Sequence, residues 1–268
     1  MRLILSATLL SLALPAAAES RWELGIGISG ISFDDYLGSD ERNNWVLPFP
    51  YVSYRSDWLD VSREQVTGKI FTSDRVKFTV SLNGSLPIDS NNNKARQGMP
   101  DLDPTGEIGP ALQFTLFDDR ERHDRLTLEL PVRASFASDF KHVKHIGWVA
   151  SPNLYYERDF ALQGGPLTVD ASFGPVFGDG DYHQYFYGVD PRFATAERPA
   201  FEADAGFGGW RLSLGVSHTR GNFWYGAFVR YFDLADAQFA DSPLVKQDYS
   251  VIGGVAVAWI LARSGEHH

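Results

Sequence analysis

The sequence predicts an all-β fold, a closed antiparallel transmembrane β-barrel of about twelve strands with short periplasmic turns and long extracellular loops. Three observations predict it. The N-terminus reads as a removable export leader, segment after segment alternates apolar and polar residues over nine to twelve positions, and the connections between segments are by turns long and short.

The leader comes first. Met1 and Arg2 form a short positive start, Leu3 to Leu14 is a run of mostly Leu, Ile and Ala, and Ala16-Ala17-Ala18 offers small residues for cleavage before Glu19. This is the three-part layout of a secretory signal peptide over residues 1–18. Its apolar stretch is too short for a membrane-spanning helix, which takes about 20 residues. The remaining residues, 19–268, are then expected to form one barrel domain in a Gram-negative outer membrane. Losing Arg2 moves the net charge from −10 to −11, an acidic balance that argues against nucleic acid as a partner. The sequence has no cysteine, which excludes both disulfides and a lipoprotein anchor.

Alternation at period two then sets the strands. Trp22, Leu24, Ile26 and Ile28 lie opposite Glu23, Gly25, Gly27 and Ser29. Val76, Phe78, Val80 and Leu82 lie opposite Lys77, Thr79, Ser81 and Asn83, and Leu126, Leu128, Leu130 and Val132 share a face that excludes Arg125, Thr127 and Glu129. The final segment places Tyr249, Val251, Gly253, Val255, Val257 and Trp259 on one face, with an aromatic ring at each end. Ten residues at about 3.3 Å each, tilted near 40°, span roughly 25 Å, the height of a barrel's apolar band. Tyr and Trp at its two edges suit the headgroup level. The expected strands are 21–31, 45–55, 58–65, 67–72, 75–86, 105–117, 125–137, 146–157, 166–177, 209–218, 223–232 and 248–261. Pro48 and Pro50 are expected to mark a bulge or break in the second, because proline cannot donate to a ladder.

Long gaps rich in Asp, Asn, Gly and Pro (32–44, 87–104, 139–145, 178–208 and 233–247) alternate with tight ones such as 118–124 and 159–165. Long outer loops and short periplasmic turns have that rhythm. The polar faces then carry Glu23, Lys77, Glu107, Arg125, Glu129, Arg133, Asp170, Arg211 and Arg230 into the lumen. These charges are expected to pair across it and fill it, with loop 178–208 as a lid; a pore lined by mixed charge is the other reading. Arg120, Arg122 and Arg158 fall in charged turns within reach of a periplasmic partner.

Catalytic and cofactor chemistry finds little support. A hydrolase needs a serine activated by a base, and His218 beside Ser217 and Ser213 matches no such pattern; His142, His145 and His183 fall in or beside outer loops. Asp101 and Asp103, near Asp89 and Glu107, have carboxylates suited to Ca²⁺ but lack the rest of a calcium loop. The expectation is no enzyme activity, no cofactor and no metal.

Beyond the residue patterns, Tyr36-Leu-Gly-Ser-Asp40, Leu47-Pro-Phe-Pro-Tyr51, the run Gly98 to Leu112 with its Met-Pro-Asp-Leu-Asp-Pro core, and Asp241-Ser-Pro-Leu-Val245 resemble the MipA/OmpV family in order and across the mature length. The resemblance implies an outer-membrane barrel in contact with lipid. It also implies a scaffold that holds a lytic transglycosylase and a murein synthase in the periplasm, with porin-like and adhesin members as alternatives. It supplies no catalytic residues. The chain departs from the common barrel ending, since Trp259 is followed by Ile260 to His268.

Overall fold

A computed structural model describes residues 21–55, 59–61, 66–73, 75–119 and 121–264. The leader expected at 1–18 and Arg120 lie outside the described residues. The strands are β1 (Arg21–Asp34), β2 (Arg42–Arg55), β3 (Leu59–Val61), β4 (Val66–Thr72), β5 (Val76–Ser85), β6 (Thr105–Asp119), β7 (Asp124–Ser138), β8 (Val143–Ala150), β9 (Asn153–Leu162), β10 (Gly165–Gly178), β11 (Gly206–Arg220), β12 (Phe223–Asp233) and β13 (Tyr249–Arg263), with one α-helix, α1 (Gly180–Tyr187). Among the described residues no helix is long and apolar enough to cross a membrane.

All the pairings are antiparallel and most link chain neighbours, and β1 pairs with both β2 and β13, so the ladder returns on itself. A returning ladder leaves few backbone groups without partners in lipid, where each costs several kcal/mol. The wall departs from expectation at 146–157, which is two strands. β8 and β9 share one place between β7 and β10, broken at Ser151-Pro152. Proline cannot donate there, and the wall kinks: a side chain at Gly174 of β10 would meet the Pro152 carbonyl oxygen at 2.0 Å. The expected break at Pro48 and Pro50 does not occur, since β2 keeps an unbroken register with β1 through Ile28↔Pro48 and Ile26↔Pro50. The reason lies on the other edge, where β2 pairs with β3 only at Tyr54 and Arg55 among the described residues. Proline is tolerated where no neighbour needs its N–H. The last strand also runs past Trp259 to Arg263, with Ile260 paired to Gly25.

The alternation separates the faces as the sequence implies. Outward residues such as Ile26, Ile108, Val132 and Val255 are exposed, while inward Thr79, Glu107, Arg133 and Ser135 are buried. Stacked rings mark both ends of the apolar band on β12 and β13: Tyr231 with Tyr249 at 6.3 Å, and Phe223 with Trp259 at 6.5 Å. The largest apolar cluster lies among the loops. Tyr36, Met99, Leu102, Tyr187, Val189, Leu234, Phe239 and Leu244, drawn from four long connections, pack as a cap over the outer mouth. Tyr187 stacks on Phe239 at 3.6 Å, and the Tyr36 hydroxyl donates to the Leu244 carbonyl at 2.8 Å. Arg96 and Arg198 tie the loops through their backbones: Arg96 donates to the Phe186 carbonyl and Arg198 to those of Ala95 and Gln97.

Candidate functional site: a charged lumen beneath a loop cap

Asp179 begins α1 by accepting a hydrogen bond from the Tyr182 amide at 2.8 Å, the N-cap role of a short acidic side chain. The helix turns His183 and Tyr187 into the cap and Tyr182 down toward the lumen. Gly147 of β8, at φ 123°, makes room, because a side chain there would meet the Asp179 carboxylate. Burial holds the Tyr182 phenol in its protonated form, well above the ordinary tyrosine range, so its hydroxyl donates to Glu107 at 3.3 Å. Burial also lowers the pKa of His183, and its Nδ1 lies 2.7 Å from the Asp204 carbonyl.

Glu107 of β6 is the hub beneath the helix. It accepts from Arg133 Nε at 2.8 Å and from Asn83 at 3.1 Å, and Arg133 also donates to Ser81 at 3.3 Å and Ser151 at 3.0 Å. Both charged side chains are about 5% exposed or less. Leaving either unpaired in this setting would cost several kcal/mol, which is why each is saturated with partners. Around this pair a cavity of about 840 Å³ occupies the lumen, lined by Glu129, Arg133, Asp170, Arg211 and Arg230 among others. Gln113 donates to Glu129 at 2.9 Å. Arg230 is paired in register with Ile252, which packs against the cap, so the charged ring lies directly under the loops. On the inner wall near the periplasmic end, Tyr51 and Trp224 form an aromatic shelf at 5.7 Å, and the Tyr51 hydroxyl donates to Glu23 at 2.9 Å.

The structure therefore gathers six of the nine expected lumen charges, Glu107, Glu129, Arg133, Asp170, Arg211 and Arg230, around one space. Glu23, Lys77 and Arg125 lie on the same face nearer the periplasmic rim, where Glu23 meets Arg263 at 3.7 Å and Arg125 faces Asp118 and Glu157 in register. The charges pair in part but do not fill the lumen. Of the expected docking turns, Arg122 is exposed beside Asp119 at 3.8 Å. Arg158 is a correction: it stands within β9 and not in a turn. The strand continues through Phe160 to Leu162, which turns Arg158 to the outer face, where it meets Asp124 at 3.2 Å and covers the Phe160 ring at 4.8 Å.

The remaining candidates have local roles. Ser217 faces inward while His218 faces out and contacts the Pro166 carbonyl, so neighbouring strand positions keep them apart. His142 contacts Asp139, and His145 packs between Phe136 and Trp148. Asp89 and Asp101 accept from backbone amides of their own loop. Sequence reasoning missed Tyr182, Asn83 and Ser151 as partners of the hub. The N-cap Asp179 followed by Tyr182, His183, Phe186 and Tyr187 at helical spacing was the available signal.

A returning antiparallel wall with an apolar outer band, aromatic edges and a charged interior defines an outer-membrane β-barrel protein. Residues 26–261 match the family described as MltA-interacting protein MipA, and the chain belongs to that family. The outer membrane protein YiaT of Escherichia coli K12 is 25% identical over 258 residues, covering 92% of this chain and 95% of that protein. Outer membrane protein Omp26La of Vibrio anguillarum is 22% identical over 244 residues, covering 90% and 87%. A solved NanC porin aligns at a TM-score of 0.39 with 8% identity, covering 88% of this chain and 100% of that one.

Proposed function

We propose that this barrel is a narrow, loop-capped conduit for small polar solutes, with no catalytic turnover, formed by residues 19–268 after removal of the leader. The observation that carries the reading is the charged cavity beneath the cap, open space lined by Arg211, Arg230, Asp170 and Glu129. A barrel built only as a membrane anchor has no need of such a space. The lumen is well below that of a 16–18-stranded porin, which suits small solutes. Planar-bilayer recording tests it. Wild-type protein should give infrequent small steps, and Leu234→Ala, which hollows the cap, should raise the open fraction. Silence from both proteins overturns the conduit.

The second reading is the scaffold, in which the barrel holds a lytic transglycosylase and a murein synthase; the family's description and the exposed acidic-basic turn after β6 favour it. Rim charges steer and orient partners and are screened by salt. Capture of a murein enzyme from solubilised envelopes, weakened by Arg120→Gln with Arg122→Gln, supports it; capture unchanged by those substitutions removes turn docking.

A further inference from the structure

The lumen cavity is chemically divided. On the β11 and β12 side it presents Arg211 and Arg230, whose places are diagonal in the register, Arg230 opposite Ser213 and Arg211 opposite Phe232, with the Asp170 carboxylate further along against Gly215 of β11. Arg211 makes neither a hydrogen bond nor a close ion pair among the described residues. Arg230 and Arg133 line the same cavity beside it. A guanidinium lining a cavity, with no protein acceptor for its fork of donors, is a ready anion receptor.

On the β2 side the lining changes to Leu47 and Phe49, with Leu86 beside them. Leu47 shares the inward face with Phe49 and Tyr51, opposite Ser29, yet it is 36% exposed. Among the described residues Arg42 to Ser53 pair only with β1, and Ser81 to Ser85 pair only with β6. Pro48 and Pro50 stand on this edge, each removing an N–H that would otherwise face lipid unpaired.

From this division we infer that the cavity binds a single-chain amphiphile with an anionic head, of the alkyl carboxylate class. The head rests on Arg211, and the chain runs along Leu47 and Phe49. A cavity of about 840 Å³ has the size of a small-ligand site. The inference shares the cavity on which the conduit reading rests and assigns it an amphiphilic occupant. Its test is binding and not conductance, so either can fail alone.

The experiment is equilibrium dialysis of radiolabelled dodecanoate against the full barrel in a non-ionic detergent, with dodecanol as the uncharged control. Heat-modifiable gel mobility checks that each variant is folded. Arg211→Gln should weaken dodecanoate by about tenfold or more, as expected for loss of a charge-assisted pair, while leaving dodecanol unchanged. Arg211→Lys should retain most of the affinity, and Leu47→Asn should weaken both ligands. Dodecanoate binding that is absent, or equal in wild type and Arg211→Gln, overturns the inference. So does a loss in Arg211→Gln shared by dodecanol.

Discussion

Replacing Arg133 by Met tests how dry the lumen hub is. The substitution keeps most of the side-chain volume but removes three donors, at 2.8 Å to Glu107, 3.3 Å to Ser81 and 3.0 Å to Ser151. Glu107, only 4% exposed, would keep the weaker donors Asn83 and Tyr182 and lose its counter-charge. Breaking a buried pair from one side costs about 3–5 kcal/mol, and the two surviving donors place the expected loss near the lower end, roughly a hundredfold in the unfolding equilibrium. Glu107→Met should cost a similar amount. The double replacement should be no worse than either single one, because no buried charge is left alone. Urea unfolding in lipid vesicles, followed by tryptophan fluorescence, gives all three values. Singles that cost under about 1 kcal/mol, or a double that equals their sum, would refute the description of a desolvated, mutually dependent pair.

Three further outcomes follow from the same geometry. Val255→Arg, on the outer face at 65% exposure, should destabilise the inserted barrel by about 2–4 kcal/mol, whereas inward Gln113→Arg, beside Glu129, should cost under about 1 kcal/mol in the same unfolding assay. Leu234→Ala, in the centre of the cap, should cost about 2–5 kcal/mol locally and make loop 179–205 sensitive to limited proteolysis while the strands stay protected. The cap should also loosen on acidification. His183 is held neutral by burial, so its folded pKa lies below the ordinary 6.5; its contribution is complete above about pH 6.5 and is lost as pH falls through the lowered value. Protection factors in α1, corrected for the intrinsic pH dependence of amide exchange, should fall between about pH 7.5 and 5, and His183→Gln should flatten that dependence.

The wall was legible because side-chain period and burial are tied: a residue's parity decides lipid or lumen, and parity is visible in the chain. That is why Glu107, Arg133 and Arg211 fall on the inner face as read, and why Tyr249 and Trp259 stand at opposite edges of the apolar band. What parity cannot show is where a strand stops. Asp159 to Gly165 reads as a polar, glycine-ended turn, but Phe160 and Leu162 keep β9 running, and with it Arg158 moves from a turn to the outer wall. The cap was also hidden, because its contacts join residues far apart in sequence, such as Tyr36 and Leu244, separated by 208 positions. Eight residues of α1 are too few for a helical period to stand out against the surrounding loop. Pro48 and Pro50 look like breakers until the neighbour beyond them is known to be a short hairpin.

The orientation of the barrel, with the cap outward and the charged turns in the periplasm, underlies every functional reading here. Single cysteines test it cleanly, since the chain has none of its own. Asn92→Cys in the capped loop and Glu121→Cys in the turn after β6 are both at exposed positions. A membrane-impermeant thiol reagent applied to intact cells should label position 92 and leave position 121 untouched until the outer membrane is permeabilised. Labelling at 121 and protection at 92 in intact cells would contradict the account.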